Sequence, residues 1–361
     1  VFGCVGSDMC ISDWLRTVGY EPTTGVGGPG VVATVEGGEP GPCVLLRADM
    51  DALPVQEQTG LDFASTVPDR MHACGHDCHT AVALSTARVF QRPNLTPARG
   101  AIKFVFQPAE EGGNGALRMI EQGVLEAPSV SAAFGLHVWS QLETGFVDIT
   151  DGPFMASVDS FRVTVRGAGG HGAEPQKTRD PVVAAAHIVT ALQQIVARNV
   201  DPLESAVVTV ASLQAGDAFN IIPDTAVLTG TCRSFAPTVW EALPEQFDRV
   251  VRHTALACGC EADITFERLN RPTVNDPTMA ELVREVAREV VGPDRIVSNR
   301  TMGGEDFGEF LARVPGCFFF IGAGGPDRPP HHSPHFQVDE GALELGVELL
   351  ARVAERYLET H

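Results

Sequence analysis

The string Met71–Thr80, MHACGHDCHT, places two cysteines and three histidines within ten residues. Thiolate and neutral imidazole hold zinc, manganese, nickel or cobalt at neutral pH, and Cys74 and His76, two apart, can grip one ion from a loop. Ordinary turn or core residues beside glycine make similar clusters, so the string needs further donors to carry a metal. Adjacent Glu110 and Glu111 follow an apolar run, and consecutive side chains diverge: one can bind metal while its neighbour handles protons. The competing reading is a solvated acidic pair in an acidic chain. His137, in GLHVW, closes another apolar run, where a lone histidine is more often a satisfied core residue. HHSPHF, at 331–336, offers His331, His332 and His335. Five donors suit two ions that share a bridging ligand and leave positions open for water and substrate.

The donors need a scaffold that brings them to one place. Val44–Leu46 runs into RADMDALP, Ile102–Phe106 into QPAEE, and Ala132–Leu136 into His137, so three strand-like runs end in polar clusters. Helical periodicity covers Ala81–Phe90. Alternating strand and helix predicts an α/β domain built on a mostly parallel sheet, whose ligands collect beyond the carboxyl ends of the strands. A different rhythm begins near Ala156. Strand Phe161–Val165, a helix capped by Asp180 and Pro181 and reaching about Ala197, strands Ala206–Leu213 and Thr225–Cys232, helix Trp240–Leu256 and strand Ala262–Phe266 give the order βαββαβ. That is a ferredoxin-like unit inserted in the first domain. The expected organisation is a catalytic domain over 1–155 and 271–361, with a lid or dimerisation domain over 156–270. Helices near Met279–Val290 and Gly341–Glu359 and a buried strand Cys317–Ile321 belong to the second catalytic segment.

Composition narrows the function. At 361 residues the chain exceeds a single core, and 44% hydrophobic residues suffice for two. A formal charge of -20 argues against a nucleic-acid partner. No apolar run approaches the roughly 18 residues that span a bilayer, and the first residues lack a signal-like h-region, so no membrane partner and a cytoplasmic location are expected. Nine cysteines at irregular spacing read as reduced thiols. GVGGPG at 25–30 precedes its strand and GAGGHG at 167–172 leads into a loop, so neither sets a helix start against a pyrophosphate. HExxH, the deaminase signature and G-x-S-x-G are absent.

LLRADMDALPVQE, MHACGHDCHTA, QPAEEGGNGA, GLHVW, GAGGHGAEP, NIIPDTAVLTGTCRSF and HHSPHFQVDE, in this order, closely resemble the M20 metallopeptidase family. The similarity runs from about Val44 to Glu340 and is strongest to the branch that hydrolyses N-acyl amino acids: aminoacylases, hippurate hydrolases and auxin-conjugate hydrolases. The resemblance implies that Cys74, His76, Glu111, His137 and His332 bind two divalent metal ions, Mn2+ or Zn2+ with Co2+ or Ni2+ as alternatives, and that Cys74 bridges them. Glu110 becomes the catalytic base. His332, before Ser333-Pro334, is preferred over His331 and His335. Asp49 and Asp51 resemble acids that steady a metal-bound imidazole through its other nitrogen. His171 resembles a histidine that reaches a neighbouring subunit's site, and Asn220 and Arg233 fall where the family grips the substrate's free carboxylate. Two departures stand out. Relatives open with a helix carrying R-x-L-H-x-x-P-E, which has no counterpart after Val1 and leaves the first catalytic-domain helix in question. Gln176 stands where many relatives have histidine.

The resulting expectation is a dinuclear metal-dependent amidohydrolase that cleaves an N-acyl amino acid into a carboxylic acid and a free amino acid. Water is the nucleophile, Glu110 accepts its proton and returns it to the leaving amine, and His171 steadies the oxyanion. The protein is expected to be a homodimer through its inserted domain. A dipeptidase or carboxypeptidase on the same site, or a silent metal-binding scaffold, are the alternatives.

Overall fold

The computed structural model describes residues 7–361, so Cys4 lies outside the described residues. The other eight cysteines are free thiols. Two compact units divide the chain: one runs to Phe154 and takes in Thr273–Arg300 and Asp306–His361, and the other comprises Met155–Pro272 with Thr301–Glu305. The short return of 301–305 is a boundary that no composition shift announces. It follows from main-chain bonding, as the Ala156 N–H donates to Thr301 O at 3.2 Å and to Gly303 O at 3.0 Å.

The first unit is an eight-stranded sheet in the order Thr23–Val26, Gly30–Glu36, Arg99–Gln107, Glu39–Asp49, Val130–Glu143, Gly316–Gly324, Val147–Asp148, Ile296–Val297. Its four central strands, from Arg99–Gln107 to Gly316–Gly324, are parallel to one another. Their apolar runs are continuous because helices cover both faces of such a sheet: Cys43 to Asp49 is buried without interruption. Helices His76–Phe90, Pro277–Val291 and Gly341–Thr360 contribute Val82, Val283 and Leu349 to one core with Leu46, Phe104, Phe134 and Phe319. A first helix exists despite its unusual sequence. Ser7–Thr17 buries Ile11 and Leu15, and the following Tyr20 packs edge-on against Phe104 at 5.9 Å.

Register fixes the site level. Arg47 pairs with Val105 on one side and with Gly135 on the other. Two residues further along, the same face presents Asp49, Gln107 and His137, because side chains repeat with period two. His137 does not end its strand as expected; pairing continues to Glu143, held by Gly316–Gly324.

The second unit has four antiparallel strands in the order Ala206–Gln214, Thr225–Ser234, Val158–Arg166, Glu261–Asn270, with helices Pro181–Gln194 and Pro237–Ala257. This is the βαββαβ order. Asp180 caps its helix by accepting from Val182 N at 2.8 Å and Val183 N at 3.3 Å, ahead of Pro181. By length and composition the stretch Pro181–Asn199 is apolar enough to cross a membrane, contrary to the run-length expectation. Its Ala184, Ala185, Ile188 and Leu192 are instead core residues of this unit.

A buried cation secures the loop that leads into strand Val130–Glu143. Lys103 is 2% exposed, and its Nζ donates to Val124 O at 2.9 Å, Glu126 O at 2.7 Å and Pro128 O at 2.9 Å. Methionine has the length but no donor, so Lys103→Met orphans three carbonyls and should lower the unfolding free energy by about 3 kcal/mol in urea titrations. A change under about 1 kcal/mol would contradict this account of the loop.

Candidate metal centre

Gly75 sits between Cys74 and His76 with φ 88, the left-handed region where a side chain is disfavoured. A Cβ there would lie 2.5 Å from Val138 Cγ2. The loop therefore needs glycine to lay Cys74 and His76 against the strand that carries His137. There the side chains of Cys74, His76 and His137 have ligand atoms within 4.8 Å of one another, and so do those of Cys74, Glu111 and His332. The two sets share the Cys74 thiol.

Hydrogen bonds decide which nitrogen each imidazole offers. His137 Nδ1–H donates to Val138 O at 2.6 Å, which leaves the Nε2 lone pair 3.5 Å from Cys74 Sγ. Burial, then the neighbouring His79 and His331, holds this ring well below the usual histidine range, hence neutral. His76 Nδ1–H donates to Asp51 O at 3.0 Å, and its Nε2 is buried with no hydrogen-bond partner. Burial opposes a charge on His76, but Asp49 and Asp51 outweigh it and raise the group well above its ordinary value. The lone pair that draws a proton there is the one a cation would take. His332 Nε2 lies 3.1 Å from Glu111 Oε1, and that oxygen too is buried without a hydrogen bond. The neighbouring Cys74 and Glu111 raise His332 to about 10 against its partial burial. A thiol, three imidazoles and a carboxylate, two of whose donor atoms are buried without a hydrogen bond, form a donor set that fits divalent transition metals.

The acids around the donors hold backbone as well as side chains. Asp51 accepts from Glu110 N and Glu111 N, each at 3.1 Å, and lies 3.3 Å from His76 Nδ1. This fixes the two glutamates, which follow Ala109 at φ 56. The Glu110 carboxylate falls within 4.8 Å of the His76 and Glu111 donors and is buried. Asp49 meets His79 Nδ1 at 2.5 Å and Arg47 at 2.7 Å, with His76 Nε2 at 3.6 Å. Burial would raise Asp49, yet Arg47, His76 and His79 hold it well below the carboxylate range.

Among the three carboxyl-terminal candidates, only His332 joins a donor set. His331 Nε2–H donates to Val138 O at 3.0 Å, and its ring lies 4.7 Å from Trp139 and 4.9 Å from Phe336. His335 bonds Gln58 O at 3.0 Å. His171, Asn220 and Arg233 belong to the second unit. There His171 pairs with Ile221 in a two-stranded ribbon, and Gly172 N donates to Asn220 O at 2.9 Å. His171 Nδ1 accepts from Ala173 N at 3.0 Å, which leaves Nε2–H as the donor. Arg233 has one arm on Met302 O at 3.0 Å.

Sequence reasoning missed Arg47, His79, Gln107 and Asp306. Arg47 donates to Asp49, to Gln107 Oε1 at 2.9 Å and to Asp306 Oδ1 at 3.0 Å, all buried. The available signal was an arginine inside the apolar run VLLRA, since a buried guanidinium must have carboxylates beside it.

A family model described as peptidase family M20/M25/M40 matches residues 45–356. The chain is 40% identical to an N-acetylcysteine deacetylase of Bacillus subtilis, over 92% of this chain and 86% of that one. It is 42% identical to the IAA-amino acid hydrolase ILR1-like 4 of Arabidopsis thaliana, over 91% and 76%. A crystal structure of the YXEP protein of Bacillus subtilis, described as a dinuclear metal binding peptidase from the M20 family, superposes with a TM-score of 0.85 at 35% identity, covering 99% of this chain and 93% of that one.

The two cysteines of the helix entry should separate by function. Cys78 is buried in the core, where burial pushes its thiol far up, while Cys74 sits in both donor sets. Elemental analysis should therefore find metal lost from Cys74→Ala and retained in Cys78→Ala. Equal loss from both would mark a cysteine-rich structural site instead.

Proposed function

The chain belongs to peptidase family M20/M25/M40 and is a hydrolase of that family; within it, we propose that the protein is a dinuclear metal-dependent amidohydrolase that releases a carboxylic acid and a free amino acid from an N-acyl amino acid. The observation that carries this reading is the pair of donor sets joined at Cys74, with the Glu110 carboxylate buried beside them. Cys74, His76 and His137 would hold one cation, and Cys74, Glu111 and His332 the other. Thiolate, imidazole and carboxylate together suit Mn2+ or Zn2+, and Co2+ or Ni2+ after them. When bound, such a pair polarises the acyl carbonyl and makes water a nucleophile at neutral pH.

The chain's own groups divide the remaining work. Glu110 accepts the proton of the attacking water and delivers it to the leaving nitrogen, which must depart as an amine. Asp51 keeps that carboxylate aimed by gripping the Glu110 and Glu111 N–H groups. His171, donating through Nε2–H, steadies the oxyanion in the partner subunit's site. Asn220 and Arg233 bind the substrate's free carboxylate, for which a guanidinium fork is apt. The strand Ala206–Gln214 lies at a sheet edge with one side unpaired, which supports assembly through the inserted unit.

Glu110→Gln keeps size and hydrogen bonding but cannot take a proton. Rates on N-acetyl amino acids, hippurate and dipeptides should fall at least about a hundredfold with metal content unchanged. Metal loss in Glu110→Gln and retention in Glu111→Gln would reverse the two assignments. His171→Ala subunits should bind metal, dimerise and lose most turnover. Mixed with Glu110→Gln subunits they should regain activity, because one site of the heterodimer then has both groups. No rescue in verified heterodimers would place His171 outside the partner's chemistry.

A further inference from the structure

The string Met71–Thr80 supplies one more buried histidine, which neither donor set joined at Cys74 uses. His79 is 2% exposed, and its ring centroid lies 4.4 Å from that of His137 and 5.5 Å from that of His76. Its donor atoms fall within 4.8 Å of those of Asp49 and His76, which on distance alone would make it a ligand. The hydrogen bonds exclude that. Val138 N–H donates to His79 Nε2 at 2.9 Å, so that nitrogen's lone pair is taken and the ring proton is on Nδ1, donated to Asp49 Oδ1 at 2.5 Å. Coordination through Nε2 would strand the buried Val138 N–H without a partner.

We infer that His79 is a positioning residue of the metal centre: it ties the Val138 backbone beside His137 to Asp49, and so sets the spacing between the His76 and His137 donors. The geometry joins three elements. His79 and His76 share a helix, Asp49 ends one central strand, and Val138 belongs to the next. Thr80 adds a second tie, donating from Oγ1 to Asp49 O at 3.1 Å. Asp49 is in turn anchored by Arg47, and Arg47 by Asp306, which also accepts from Gln107 Nε2 at 2.7 Å and Ala116 N at 3.0 Å. The inference rests on the reading of His76 and His137 as ligands.

Cobalt(II) tests it on the full chain. Wild-type protein should bind two ions, with a thiolate-to-cobalt absorption band that Cys74→Ala loses. His79→Phe fills the space but makes neither hydrogen bond. It should weaken one ion about 10- to 100-fold in chelator competition while the band keeps its wavelength. His79→Gln, whose amide both donates and accepts, should recover most of that affinity. If the phenylalanine protein does not fold, His79→Asn serves in its place, since its amide reaches Asp49 but is too short for Val138. Unchanged affinity for both ions, even with a lower Tm, would make His79 ordinary packing. Loss of an ion with shifted d–d bands and no recovery in glutamine would make it a ligand. Either result overturns the positioning role alone. Fewer than two ions in wild-type protein would overturn the metal-centre reading, and this inference with it.

Discussion

A guanidinium with no exposed surface has to be neutralised where it stands, and Arg47 is such a group. In an interior of low dielectric, an unpaired charge costs several kcal/mol, so Asp49, Asp306 and Gln107 close around it. The consequences spread outward. Asp49 stays ionised and fixes His79, and Asp306 holds the Ala116 N–H behind the loop of Glu110 and Glu111. Burial pushes Asp306 upward against the pull of Arg47. Compensated buried charge thus ties two strand ends, at Asp49 and Gln107, to the turn at Asp306 and makes a floor for the donors.

The donors stand on that floor beside or on residues in left-handed backbone conformations. Gly75 has φ 88, Ala109 φ 56 and His332 φ 66, and the residues adjoin or carry Cys74, Glu110 and the His332 donor itself. Positive φ at a non-glycine residue costs on the order of 1 kcal/mol and persists where surrounding contacts over-determine it. At His332 the N–H bonded to Ala73 O at 2.8 Å supplies one such contact. Orientation of donors, more than local stability, explains these positions.

Much of this was legible in the sequence. The apolar runs leading into Asp49, Gln107 and His137 were visible because parallel strands buried on both faces read as continuous apolar text, and the Asp180-Pro181 cap marks a helix start. Cys74, His76 and the Glu110-Glu111 pair announced themselves by type and spacing. What stayed hidden depends on contacts between distant segments. Residue type alone does not separate His331 from His332, and the Ser333-Pro334 step favours His332 only through the family resemblance; in the structure a positive φ and the Val138 carbonyl tell them apart. Nor does the sequence show what His79 does, since only the Val138 N–H reveals that its Nε2 is taken. The return of 301–305 to the inserted unit likewise comes from main-chain bonds to Ala156 that no pattern encodes.

The central claim is that one thiol belongs to two ions. Anomalous diffraction from crystals of the manganese- or zinc-loaded protein tests it most directly. The account predicts two anomalous peaks about 3.5 Å apart, both within bonding distance of Cys74 Sγ, one beside His76 and His137 and the other beside Glu111 and His332. A single peak, or a pair in which Cys74 touches neither ion, would contradict it.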